Sequence, residues 1–249
     1  MQLNHRTDLY REPFFSWGRI MKWGVTAIVA AFFVALIAGY IFGPSLVESE
    51  RASVVTLYIG GDSPSNATAV GSGVYLGNGL ILTARHAVIK DLTDPRSERY
   101  DIYAVDSQGK ESHAQPVFIS EAADYAVIRV PDLNVPAATL TCRAPVVDEP
   151  VTLVGTAYGF ITNGVAHGTV SSTTLNDVVF AIKTQSTLAA YGWSTLVIAA
   201  VAGAPGDSGG PVYDANGNVI GVMVAGAGPF AGFVPTHTLC LEVPHDFTR

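Results

Sequence analysis

Charge is scarce in this chain: only 14% of its 249 residues are Asp, Glu, Lys or Arg, against 49% hydrophobic residues. Cysteine is scarcer still, with Cys142 and Cys240 alone, and neither has His, Cys or carboxylate partners at ligand spacing. A zinc site is thereby excluded, and no calcium loop or phosphate-cradling glycine motif is present. The sequence implies no metal and no organic cofactor. Basic residues are few and unclustered, which excludes a nucleic-acid partner. Acidic residues give a net charge of −7 but are spread along the chain, as on a solvated surface.

The low charge has a local cause. Residues 24–42, GVTAIVAAFFVALIAGYIF, carry no charge at all. As a helix this run spans roughly 28 Å at ~1.5 Å per residue, close to the ~30 Å hydrocarbon core. A buried core helix would keep a polar face, and a cleaved signal peptide has a shorter apolar stretch nearer the start. The expectation is an uncleaved transmembrane anchor ended by Gly43-Pro44, with a cytoplasmic tail at 1–23 and a linker at 43–51. Arg6, Arg11, Arg19 and Lys22 precede the run against Asp8 and Glu12, leaving 10 Lys and Arg against 19 Asp and Glu after it, a net of −9. The positive-inside rule then keeps the N-terminus in the cytoplasm and exports the rest.

Beyond residue 51 the helical period disappears. Short runs rich in Val, Ile, Thr and Tyr alternate with Gly, Asn, Asp and Pro punctuation. Strands are expected at 54–59, 73–76, 80–83, 102–105, 117–120 and 125–130. After a Pro-bounded linker at about 131–145 a second set follows at 151–155, 165–172, 178–184, 196–201, 211–213, 219–224 and 232–235. Asp214-Ala215-Asn216-Gly217 reads as a hairpin turn. Two groups of about six strands suit two small antiparallel barrels, barrel 1 at about 52–130 and barrel 2 at about 146–249.

The most informative stretch is Gly206-Asp207-Ser208-Gly209-Gly210-Pro211. A serine between glycines can sit on a tight turn with its hydroxyl exposed, and the N–H groups of Gly206 and Ser208 can point at one spot as an oxyanion hole. A nucleophilic serine needs a base, and the base an orienting carboxylate. His86 follows an apolar strand in Thr83-Ala84-Arg85-His86-Ala87, and Asp124 heads the apolar run Tyr125–Val130. His86 and Asp124 fall in the first strand group and Ser208 in the second, so a site would lie between the barrels. Asp207 is expected to hold the oxyanion loop.

The order His86, Asp124, Ser208 and the hexapeptide resemble the chymotrypsin-like serine proteases. The resemblance covers about residues 52–249. Gly71-Ser72-Gly73-Val74, Val154–Phe160, His167–Ser172 and Gly232–Pro235 are similar to the HtrA-like branch. Two departures stand out. The chain ends at Arg249, and the PDZ domain of that branch is not expected in it. No Ile-Val-Gly-Gly-like segment follows a basic residue, so activation by a freed N-terminus pairing with Asp207 is not expected.

The resemblance implies an active serine endopeptidase on protein or peptide substrates. It also implies a primary specificity pocket with its floor at Ala202, six residues before the nucleophile. Its walls would be Val224–Ala225–Gly226 and Gly232–Phe233–Val234. With no acid at the floor, cleavage after medium or large apolar residues is expected, since an unpaired buried charge is costly. Related enzymes tie the inter-barrel stretch to the C-terminal segment, which makes Cys142–Cys240 a disulfide candidate; two isolated thiols are the alternative. A viral or phage polyprotein-processing protease and an inactive protease-like binding module remain alternative functions.

Overall fold

Beta-branched and aromatic runs that bury one face against another need a closed sheet to avoid leaving an open edge, and this chain closes two. The computed structural model describes residues 51–131, 133–173 and 196–242. The chain divides into units 1–45 and 46–249. The expected tail, anchor at 24–42 and strand at 178–184 lie outside the described residues. Among the described residues no helix is long and apolar enough to cross a membrane.

The first barrel contains β1 (Val54–Ile59), β2 (Ala69–Gly77), β3 (Leu80–Thr83), β4 (Ile102–Val105), β5 (Glu111–Ile119) and β6 (Ala126–Arg129), closed in the order β1-β2-β3-β6-β5-β4. The second contains β7 (Pro150–Ala157), β8 (Ile161–Ser172), β9 (Val197–Ala200), β10 (Pro211–Tyr213), β11 (Val219–Ala227) and β12 (Phe230–Pro235), closed as β10-β11-β12-β9-β8-β7. All of these strand pairs are antiparallel. A short helix, α1 (Thr236–Glu242), follows β12.

Leu57, Ile81, Leu82, Ile102 and Ile128 fill the first barrel, and Leu153, Val212, Ile220 and Phe233 belong to the second. Each such buried side chain contributes about 1.5–3 kcal/mol of hydrophobic stabilisation. Val154, Tyr213, Val224 and Val234 of the second barrel join the apolar cluster of the first, so the cores meet. Polar groups caught at this junction are satisfied across it. Ser53 Oγ and the Tyr213 hydroxyl share a 2.9 Å hydrogen bond, and the Thr56 and Thr156 hydroxyls share one of 2.8 Å.

Several boundaries differ from those read in the sequence. β5 starts at Glu111 rather than 117, because its first half is a polar strand with exposed side chains at alternate positions. β8 starts at Ile161, with Asn163 in the left-handed region (φ 51°). Part of the linker pairs: Thr141 N–H donates to Val219 O and Val219 N–H to Thr139 O, laying this stretch beside the start of β11. Cys142 and Cys240 form a disulfide with Cα atoms 5.8 Å apart, joining the linker to α1.

Candidate active site

Register explains how His86 and Asp124, 38 residues apart, become neighbours. Thr83, the last residue of β3, pairs with Ala126, the first of β6. The turn after β3 and the loop before β6 therefore leave the same end of two adjacent strands. His86 sits in the turn Arg85–Ala87. Its Nδ1 lies 2.8 Å from Asp124 Oδ2, and its backbone N–H donates to Asp124 Oδ1 at 2.9 Å. Asp124 is wholly buried, while the imidazole remains partly open. A buried carboxylate that accepts from Nδ1–H fixes the ring tautomer and leaves Nε2 to take a proton.

Ser208 arrives from the other barrel. The turn before it is type II: Asp207 N–H donates to Ala204 O at 3.1 Å, Pro205 takes the second position, and Gly206 the third with φ 98°. A Cβ at Gly206 would stand 2.2 Å from Thr156 O, so only glycine fits. The Pro205 carbonyl accepts from Tyr158 N–H at 2.6 Å. Because the peptide unit is planar and trans, the Gly206 N–H on its far side points the opposite way. Neither the Gly206 nor the Ser208 N–H donates to any group among the described residues. After the serine, Gly209 (φ 87°) turns the chain into β10, where a Cβ would meet Ser72 O at 2.1 Å.

Ser208 and His86 are walls of one cavity of about 150 Å³, together with Ile59, Ala69, Ala87 and Tyr100. Among the described residues no hydrogen bond joins the two side chains; substrate-free catalytic bonds are commonly long and tighten in the complex. A second cavity, of about 450 Å³, adjoins through Thr68, Ala69 and Val70 and reaches Gly206 and Tyr158.

Other residues singled out in the sequence fall in different places. Asp207 is buried and accepts from Ala204 N–H at 2.8 Å. Burial holds its carboxyl above the ordinary range, with the Ala204 bond working against that rise. Ala202 is exposed and shares a cavity of about 560 Å³ with Gly226, Asp207, Ile161 and Val165. Val224, Phe233 and Val234 are buried in the barrel cores, and Gly232 lies under Leu196. Gly203 and Gly226 touch: a Cβ on Gly226 would stand 3.0 Å from Gly203 O. Among the described residues no group of three or more His, Cys, Asp or Glu could hold a metal ion.

Two residues gain importance only here. Ser72 donates its N–H to Ser208 O (2.7 Å) and its hydroxyl to Gly206 O (2.8 Å), and accepts from Thr156 N–H (2.9 Å). Arg85, buried beside His86, donates Nη1 to Ser120 O at 3.0 Å, bracing the loop that carries Asp124. The sequence signalled Ser72 only as part of a glycine-flanked motif, and Arg85 only as the residue before the histidine.

The chain is similar to several solved proteases. It matches the HtrA-type protease AlgW with tripeptide at 25% identity and TM-score 0.63, covering 82% of this chain and 62% of that one. It matches a serine endoprotease from Yersinia pestis at 21% identity and TM-score 0.61, covering 82% and 65%. The Rv3671c protease of M. tuberculosis, in an inactive form, has 18% identity and TM-score 0.60, with 80% and 91% covered. At these lower identities the latter two bear on the fold. The chain thus spans just over three fifths of the HtrA-type structure it matches. No curated protein sequence matches it. The family model of the trypsin-like peptidase domain matches residues 71–222. With more than half of its length so matched, the chain belongs to the trypsin-like peptidase domain family.

Proposed function

We propose that this protein is a membrane-anchored serine endopeptidase of HtrA type. The observation that carries the reading is the His86–Asp124 pair, bonded at 2.8 Å, whose His86 lines one cavity with Ser208. Ser208 Oγ attacks the scissile carbonyl while His86 Nε2 takes its proton. Asp124 keeps the ring in the right tautomer and stabilises the imidazolium. The N–H groups of Gly206 and Ser208 receive the oxyanion, a term worth about 3–4 kcal/mol per donor. His86 then returns the proton to the leaving amine, and water repeats the sequence on the acyl-enzyme. The test is fluorophosphonate labelling and peptide turnover. Labelling of the wild type and none in Ser208→Ala is expected; undiminished turnover in Ser208→Ala overturns the reading.

The finer features belong to the same proposal. Cleavage follows an apolar residue, because Ala202, Gly203, Ala204 and Gly226 carry no charge and the one carboxyl in their cavity, Asp207, is buried and held by the Ala204 N–H rather than offered to a charged side chain. A peptide library varied at that residue decides it, and a clear preference for a charged residue sinks it. The uncharged run at 24–42 anchors the chain with its N-terminus inside and the protease domain outside. External protease on sealed vesicles checks this: the orientation fails if the domain is protected while the tail near Arg11 is cut.

A further inference from the structure

Behind the His86–Asp124 pair lies a polar cluster that reaches the far end of the chain. Asp124 stands in the loop 120–125, which closes on itself as Ser120 N–H donates to Tyr125 O at 3.1 Å. Inside the loop Ser120 Oγ accepts from the N–H groups of Ala122 (3.2 Å) and Ala123 (2.9 Å). A hydroxyl has two lone pairs and one proton, so those amides use its whole accepting capacity. The proton goes outward, to Glu242 Oε2 at 2.7 Å. Glu242 is the last residue of α1 and lies 122 positions along the chain from Ser120.

Ser120, Ala123, Asp124 and Tyr125 are all fully or almost fully buried. The Tyr125 phenol is held far above its ordinary value, by burial first and then by the Glu242 carboxylate. Arg85 grips the same loop through Ser120 O (3.0 Å) and Glu121 O (3.4 Å).

We infer that Glu242 is a positioning residue for the triad, acting on Asp124 through the hydroxyl of Ser120. The inference rests on the triad reading above. With the carboxylate in place the Ser120 proton points at α1, and both lone pairs stay on the loop amides. Without it, a buried O–H must find another acceptor, and rotation toward one takes the lone pairs off Ala122 and Ala123. The loop then loosens next to the one carboxylate that orients His86. Catalysis is steep in such small displacements: a shift on the order of 1 Å can cost about 100-fold.

The test uses the full chain in lipid nanodiscs, with active sites titrated by fluorophosphonate. Three variants are compared, Glu242→Ala, Glu242→Gln and Ser120→Ala, with Asp124→Asn as the control. Two quantities are read: kcat against KM, and the downfield proton NMR signal of His86 Nδ1–H, which reports the bond to Asp124 directly. Glu242→Ala and Ser120→Ala should lower kcat by about 10- to 100-fold with KM unchanged, and shift or broaden the signal. Glu242→Gln keeps an accepting oxygen and should restore kcat and the signal. If Glu242→Ala folds poorly, Ser120→Ala carries the measurement. The inference is overturned by wild-type kcat per active site with an unmoved signal, which would make the contact one of stability only. Asp124→Asn separates the two levels. It should lose about 10⁴-fold; if it stays fully active the triad reading falls, and if it loses that much while Glu242→Ala loses nothing, only this inference falls.

Discussion

Ser72 gives both of its donors to the turn that carries the nucleophile. Its N–H, its hydroxyl and the lone pair that Thr156 N–H uses tie three segments together, and its own carbonyl accepts from Thr83 Oγ1 at 2.8 Å. Ser72→Ala leaves the buried Thr156 N–H without that partner. We expect a stability loss of about 1–3 kcal/mol and a drop in kcat of about 10- to 100-fold, read by thermal melting and peptide turnover. Ser208→Ala and His86→Ala should each lose about 10⁶-fold in kcat while melting like the wild type, because triad members act as a unit. Asp207 is a different case. Burial raises its carboxyl above the ordinary 3.8, so the stability linked to that shift is fully present below 3.8 and is lost as pH rises through the raised value. Asp207→Asn keeps the acceptor for Ala204 without the buried charge. Its Tm at pH 7 should be no lower than that of the wild type; a clear drop contradicts the sign. At this scale the motifs made Ser208, His86 and Asp124 legible as candidates. Ser72 was not legible, because its role depends on how two barrels meet.

The strands were mostly readable as runs of β-branched residues between Gly and Pro. Those that ran longer did so where local signals are weak: Glu111–Ala114 is polar enough to pass for a loop, yet its pairing to β4 is regular. Helix α1 was not readable at all. Thr236-His237-Thr238-Leu239-Cys240-Leu241-Glu242 has little intrinsic helical preference, and its anchors are buried Leu239 and the disulfide at Cys240. The turn between β10 and β11 shows the opposite, a local signal that sufficed. Asp214 Oδ1 accepts from the N–H groups of Asn216 and Asn218, both at 2.9 Å, and Arg143 donates to Oδ2 at 2.9 Å while also pairing with Glu149. Burial opposes ionisation of Asp214, but these bonds together outweigh it and hold its carboxyl below the ordinary 3.8. The stabilisation is present above that value and is lost as pH falls through the lower folded one. Asp214→Asn should therefore melt earlier than the wild type at pH 7, with the gap closing as pH falls below about 3.8. An unchanged gap in acid would show that the ion pair is not its source.

For the molecule as a whole, the grouping of strands into two sets followed from the sequence, and so did the choice of a candidate site between them, because strand period and motif position need no partner. The contacts across the junction did not, since residues such as Thr56 and Thr156 carry no mark of facing each other. The disulfide acts at this scale, closing a loop of 98 residues between the linker and α1. Replacing both cysteines by serine should cost up to about 4–5 kcal/mol in the chain-entropy account and lower Tm by as much as about 10–20 °C. Melting with and without reductant measures it, and equal curves would mean that the bridge contributes nothing. Pro205 and Gly206 bear on the time course of the enzyme. Their turn aims the Gly206 N–H away from the Pro205 carbonyl, on the side opposite the Tyr158 contact, and the Thr156 carbonyl beside Gly206 leaves it no room for a side chain. If the proposed oxyanion hole is fixed by this turn, nothing slow has to rearrange before the first turnover. Product should accumulate linearly from the moment of mixing, and a peptide boronate should associate in one phase whose rate climbs in proportion to its concentration, without a plateau.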